Sequence, residues 1–214
     1  MQDPPVAAID LGTKSVLMVI GQRTEQGIRI ITDEHAIVGL GEGVDAQGSL
    51  SQEAMDRACH QITVYSEIAL RLGVQTIAAW GTSALRDAVN RQLLIERVFK
   101  ENRINLRPLS GEQEALLTFR GAQFGKNDLE HCAVIDIGGG STEIALGSPS
   151  HLQFSLSLDM GSVRLSERFF CQLPPKPKAL AQARNQIEAA LGTLPPINPD
   201  LPIIAVSGTP LVLA

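Results

Sequence analysis

Apolar and polar positions alternate along the first 38 residues in a way that predicts three consecutive strands, Val6–Leu11, Ser15–Gln22 and Gly27–Val38. Turns at Gly12-Thr13-Lys14 and Thr24-Glu25-Gln26-Gly27 separate them. The period then changes to that of a helix from Ser51 to Leu72, with apolar Ala54, Ala58, Ile62, Tyr65 and Ala69 on one face and a stop at Gly73. A strand at Thr76–Trp80, a helix from about Ala84 to Glu101, a short strand around Leu106–Leu109 and a helix Gly111–Phe124 capped by Ser110 complete a βββαβαβα series. After a polar connector at 125–130 the series restarts. Strands are expected at His131–Ile137, Thr142–Leu146 and Leu152–Leu158, followed by a helix Ser162–Phe170. The Pro-rich Leu173–Lys178 interrupts that helix before a second piece, Ala179–Leu191, and the strand Pro202–Val206 ends at Ser207-Gly208-Thr209. The repeat predicts two α/β lobes, 1–125 and 126–214, the second lacking a helix, a strand and a final helix.

Each lobe opens on the same outline: an apolar run, an Asp, glycine and hydroxyl residues, then a second apolar run. Asp10 and Asp136 lie 126 positions apart in it. Gly138-Gly139-Gly140 can be a plain hairpin turn, but with Ser141 and Thr142 it also suits an anion. Glycine lets backbone approach a ligand closely, and successive amides in a turn form a concavity for phosphate. Gly12-Thr13-Lys14-Ser15 repeats the feature, so the two turns are expected to clamp a phosphate chain. A buried carboxylate at a strand end is costly unless compensated. Mg²⁺ binds one or two carboxylates together with water and phosphate oxygens, which makes Asp10, Asp136 and Glu143 the candidate metal acids. The opposing reading is that Asp136 caps a turn and Glu143 faces solvent.

Composition narrows the field. The chain of 214 residues has 44% apolar residues, 19% charged residues and a formal charge of −5. It reads as a soluble globular protein, with no general nucleic-acid coat and no electrostatic membrane binding expected. Cys59, Cys132 and Cys171 are odd in number and unpaired in spacing, and the four histidines are scattered, so neither disulfides nor zinc is expected. The opening residues MQDPPVAA lack a signal-peptide pattern and no apolar run approaches membrane-spanning length, so a cytoplasmic location is expected.

Duplicated lobes with an acid-glycine hairpin in each resemble the actin, sugar-kinase and Hsp70 fold, in which two ribonuclease H-like lobes flank a cleft. Further motifs narrow the resemblance. In order, Gly81-Thr82-Ser83-Ala84-Leu85-Arg86-Asp87-Ala88-Val89-Asn90, Ser110-Gly111-Glu112-Gln113-Glu114-Ala115 and Ser157-Leu158-Asp159-Met160-Gly161-Ser162-Val163-Arg164-Leu165 resemble motifs of the exopolyphosphatase and guanosine pentaphosphate phosphatase family. With both turns and the late Gly208-Thr209, the resemblance covers essentially the whole chain. It implies hydrolysis of a terminal phosphoryl group from inorganic polyphosphate or from the 5′ end of guanosine pentaphosphate, with Mg²⁺ as cofactor and polyphosphate or a guanosine penta- or tetraphosphate as partner. Glu114 matches the catalytic acid that orients or deprotonates the attacking water, and Arg86 matches a phosphate-contacting arginine beside Thr82. Asp136 and Glu143 match Mg²⁺-associated acids, and 138–142 the phosphate cradle. Arg164 is a weaker candidate, and Lys176 and Lys178 read as a solvated linker.

Three departures stand out. Gln113 replaces a frequent second Glu, Lys14 a small polar residue, and Leu17 a commonly basic one. The resemblance also implies that the second lobe continues past Ala214. An open sheet edge and apolar surface are therefore expected, with the second lobe loose, sticky or completed by a second copy in a homodimer, and hydrolysis weak or absent unless the chain associates. The alternative is a catalytically impaired module that binds polyphosphate or guanosine nucleotide.

Overall fold

The computed structural model describes residues 3–125 and 130–213, so positions 126–129 of the predicted connector, and Ala214, lie outside the described residues. Strand β1 (Val6–Leu11) pairs antiparallel with β2 (Ser15–Thr24), and β2 with β3 (Gly27–Ile37). A one-turn helix α1 (Val44–Gln47) and the long α2 (Gln52–Arg71) lead to β4 (Thr76–Gly81), which pairs parallel with β1. Helices α3 (Ser83–Asp87) and α4 (Arg91–Asn102) then lead to β5 (Leu106–Pro108), parallel to β4. The first sheet thus has the order β3-β2-β1-β4-β5.

After α5 (Gly111–Ala122) the pattern is repeated. Strands β6 (Cys132–Ile137), β7 (Thr142–Ser148) and β8 (His151–Leu158) form an antiparallel meander, followed by α6 (Ser162–Phe169) and α7 (Pro177–Leu191). Strand β9 (Ile203–Val206) pairs parallel with β6, giving the order β8-β7-β6-β9, and α8 (Gly208–Leu213) follows. Both sheets have the ribonuclease H-like strand arrangement that the fold resemblance implies, the second with four strands.

The alternation that predicts the first hairpin is also what fills its core. Ile9 and Leu11 of β1 and Val16, Met18 and Ile20 of β2 point to one face and are fully buried. The apolar stripe of α2, Ala54, Ala58, Ile62, Tyr65 and Ala69, belongs to the same buried cluster. Ser51 caps α2 by accepting from the Ala54 amide at 3.1 Å, and the Tyr65 hydroxyl donates to the Val16 carbonyl at 3.1 Å. The second core is smaller: Phe119 of α5 packs with Cys132, Val134 and Ala145.

Three expectations are corrected. Helix α5 packs on β6, β7 and β8, so the compact units are 1–109 and 110–214 rather than 1–125 and 126–214. The helix expected from Ala84 to Glu101 is two helices, because Ala88 is extended and the Asn90 side chain is drawn away to Leu50. Its Oδ1 accepts from the Leu50 amide at 2.8 Å and its Nδ2 donates to the Leu50 carbonyl at 2.9 Å. Of the helix, strand and final helix expected to be lacking in the second lobe, one helix is present: α8 follows Ser207. As expected, β9 is an edge strand, and Ile203, Leu211 and Val212 are exposed. No helix among the described residues is long and apolar enough to cross a membrane.

Candidate active site

The β6–β7 hairpin sets Asp136 directly opposite Glu143, one pair before the strand ends at Ile137 and Thr142. The turn closes through the Gly138 amide, which donates to the Ser141 carbonyl at 3.1 Å. Glu143 is only 2% exposed, and its carboxylate accepts from Ser157 Oγ of β8 at 2.7 Å and from Ser141. Burial, then the neighbouring Glu114 charge, pushes its pKa up to about 8, against the hydrogen bonds from the two serines; the Asp136 charge adds to the rise. Asp136 is half-buried, and desolvation raises its pKa as well, opposed by hydrogen bonds to Ser207 and Thr118. Glu143 is therefore a buried acid crowded by like charges. The reading in which it faces solvent does not hold.

Glu114 reaches this cluster through the start of α5. Ser110 and Gln113 form a capping box: Gln113 N donates to Ser110 Oγ at 3.2 Å, and Ser110 N donates to Gln113 Oε1 at 2.9 Å. The Gln at this position is thus employed in the cap, which a carboxamide completes as well as a carboxylate. A Cβ on Gly111 would lie 2.5 Å from Ser157 Cβ, so a glycine is needed for α5 to settle on β8 beside the serine that holds Glu143.

Two expected ligands have their side chains occupied. The Thr142 hydroxyl is buried and donates to the Met160 carbonyl at 2.6 Å, and Ser141 is engaged with Glu143. Helix α6 begins against the glycine turn. Ser162 N donates to the Gly138 carbonyl at 2.9 Å, Val163 N and Arg164 N to that of Gly139 at 2.9 and 3.1 Å, and Arg164 Nε to that of Gly140 at 2.7 Å.

The other predicted residues belong to the first unit. Asp10 is exposed and lies opposite Leu17, in the register that Asp136 and Glu143 occupy in the second. The Gly12 amide donates to the Ser15 carbonyl at 2.8 Å, Ser15 is half-buried, Lys14 is exposed, and Thr13 is buried with its Oγ1 unpartnered. The Thr82 amide donates to the Leu11 carbonyl at 3.1 Å, which fixes the end of β4 beside this turn. Arg86 is half-buried, donates from Nη1 to the Leu109 carbonyl at 3.1 Å and lies 3.7 Å from Asp87. Asp56 pairs with Arg97.

Sequence reading missed the segment 38–44. Val38 N and Gly39 N donate to the Lys14 carbonyl, and Gly41 N to that of Thr13. A Cβ on Gly41 would sit 2.2 Å from Thr13 Cγ2. The signal was available: three glycines at alternate positions, 39, 41 and 43, stand at the end of β3 as Gly161 stands after β8.

Two carboxylates of the hairpin, Asp136 and Glu143, suit a hard divalent cation, since such an ion offsets the burial that raises both pKa values and the neighbouring negative charges that add to the rise at Glu143. Among the described residues, no group of three or more His, Cys, Asp or Glu side chains is placed to hold a metal ion. A cation here would complete its coordination with water and ligand oxygens.

The model of the Ppx/GppA phosphatase family matches residues 19–198. Exopolyphosphatase 2 of Mycobacterium tuberculosis is 36% identical over 205 residues, covering 89% of this chain and 64% of its own length. A guanosine-5'-triphosphate,3'-diphosphate pyrophosphatase of Vibrio atlanticus is 31% identical over 195 residues, 91% of this chain and 39% of its own. The crystal structure of an exopolyphosphatase from Cytophaga hutchinsonii superposes with a TM-score of 0.86 at 30% identity, covering 96% of this chain and 67% of that one. The chain thus spans less than two thirds of the length of these two curated relatives.

Proposed function

The chain belongs to the Ppx/GppA phosphatase family, and from that premise we propose that it carries the hydrolytic centre of a phosphoanhydride hydrolase. The substrate is inorganic polyphosphate or a guanosine pentaphosphate, the substrates in the names of its relatives. The observation that supports this most is the buried cluster of Glu143 with the Glu114 charge beside it and Asp136 opposite it.

Phosphoryl transfer is governed by positioning and charge neutralisation more than by covalent chemistry. In the second unit the amides of the glycine turn 138–141 receive phosphate oxygens; in the first, the amides of the turn 12–15 and the planar fork of Arg86 are suited to the same ligand chemistry. Glu114 orients a water and takes its proton as the oxygen attacks phosphorus, while the bond to the bridging oxygen breaks and the shortened chain leaves. Asp136 and Glu143 would hold Mg²⁺, with Asp10 the candidate acid of the first turn. The ion supplies neutralisation of the charge gathering on the phosphoryl oxygens. Ser157 and Ser141 keep the Glu143 carboxylate in one orientation for that task.

The test is phosphate release from long-chain polyphosphate and from the guanosine pentaphosphate in the presence of Mg²⁺. Glu114→Gln is expected to lower the rate by roughly 10²–10⁴. Release that the substitution leaves untouched overturns the assignment of Glu114. Binding of polyphosphate without release by either form points to the impaired binding module.

A further inference from the structure

A glycine turn has no intrinsic reason to keep three successive peptides in one orientation, because glycine occupies more backbone conformations than other residues. In a planar trans peptide the C=O and the following N–H point in opposite directions. Holding the carbonyls of Gly138, Gly139 and Gly140 therefore turns the amides of Gly139, Gly140 and Ser141 the other way. The first two carbonyls are held by backbone amides at the start of α6, at 2.9 to 3.1 Å. The third is held by a side chain, Arg164 Nε, at 2.7 Å. The seat is close: a Cβ on Gly161 would fall 2.4 Å from the Gly139 carbonyl carbon and oxygen and 2.6 Å from Gly140 N.

The first turn achieves the same end by another means. Counted from Gly12 and Gly138, Lys14 corresponds to Gly140, and its carbonyl is held by two backbone amides, Val38 N at 3.0 Å and Gly39 N at 2.9 Å. Arg57 then fixes those two residues from α2, donating from Nε to the Val38 carbonyl at 2.7 Å and from Nη2 to that of Gly39 at 3.3 Å. In each unit an arginine braces a phosphate turn from behind, at one remove in the first and directly in the second.

We propose that Arg164 is a positioning residue for the second turn, aiming the Gly139, Gly140 and Ser141 amides at a phosphate by holding the Gly140 carbonyl. This deepens the proposed function and rests on it. The test is calorimetric binding of inorganic tripolyphosphate, with ¹⁵N-¹H spectra of the three amides, for the full chain and for Arg164→Ala, Arg164→Lys and Arg168→Ala. Arg168 lies on the same helix and is exposed, so its loss removes a positive charge from α6 while the Arg164 contact to the Gly140 carbonyl stays in place.

Arg164→Ala is expected to weaken binding about tenfold or more and to erase the ligand-induced shifts of the three amides, with partial recovery on adding guanidinium. Arg164→Lys keeps the charge without the planar fork and is expected to fall between it and the parent, while Arg168→Ala binds as the parent does. Parent affinity in Arg164→Ala, or an equal loss in Arg168→Ala, overturns the proposal. Should Arg164→Ala fail to fold, parent affinity in Arg164→Lys overturns it as well, since the role would then be structural. Absence of tripolyphosphate binding by the parent chain is a different result: it removes the reading of the turn as a phosphate site.

Discussion

The two hairpins share a frame and differ in one decisive pair. Asp10 faces Leu17 and Asp136 faces Glu143, each pair one step before the strand ends. Both turns close with a glycine amide on a serine carbonyl, and both have their outer carbonyls held by amides from beyond the third strand of the sheet. Yet Leu17 is an exposed leucine at 42%, whereas Glu143 is an acid at 2% whose pKa is raised to about 8. A duplicated backbone can thus repeat a glycine turn while the buried acid pair is confined to one copy. The electrostatic cost of burying and crowding the carboxylates falls where Ser157 and Ser141 offset part of it.

The comparison breaks most visibly in pH dependence. In metal-free buffer the folded chain binds the Glu143 proton more tightly than the unfolded chain, about 8 against an ordinary 4.5. Between those values the unfolded state holds fewer protons, so this contribution is fully present below about pH 4.5 and is lost as pH rises through about 8. The loss is on the order of a few kcal/mol. Urea unfolding at a series of pH values is expected to show that decline in the parent and a flatter profile in Glu143→Gln. Leu17→Glu, at the matching exposed position, is expected to add no such slope.

The clamps behind the turns give the next contrast. Gly161→Ala drives a methyl into the Gly139 backbone and is expected to cost about 3 kcal/mol, while Gly41→Ala meets mainly the Thr13 methyl and is expected to cost about 1 kcal/mol. Similar losses in thermal unfolding would mean that the two clamps are equally unyielding. Thr142→Val imports the residue found at the matching position of the first hairpin, Val16. Without the donor to the Met160 carbonyl, about 1 kcal/mol should be lost. The smallest effect is in dynamics. Helix α6 buries no side chain and α7 only Ala183, against seven buried residues in α2, so their amides are expected to exchange with deuterium before those of α2.

What could be read from the sequence follows physical range. Period-2 alternation identifies β1 and β2 because burial there is dictated by neighbours two positions away, and the Ser51 and Ser110 caps mark α2 and α5 within a few residues. Asp136, Glu143 and the glycine turn were legible because the acids and the glycines fall within one short stretch of the chain, 136–143. Contacts between distant positions were not. Asn90 splits a helix by bonding to Leu50, forty residues earlier, and Arg164 earned little weight because nothing local indicates that its side chain holds Gly140. The placement of α5 on the second sheet also escaped notice, since its cap and period are equally compatible with either unit.

The most direct measurement is a reciprocal exchange, scored by Mg²⁺-dependent phosphate release from polyphosphate: Glu143→Leu in the second hairpin and Leu17→Glu in the first. The account predicts that Glu143→Leu abolishes release and that Leu17→Glu retains the parent rate. Parent activity in Glu143→Leu, or an equal loss in both variants, would contradict the claim that the acid chemistry belongs to the second hairpin.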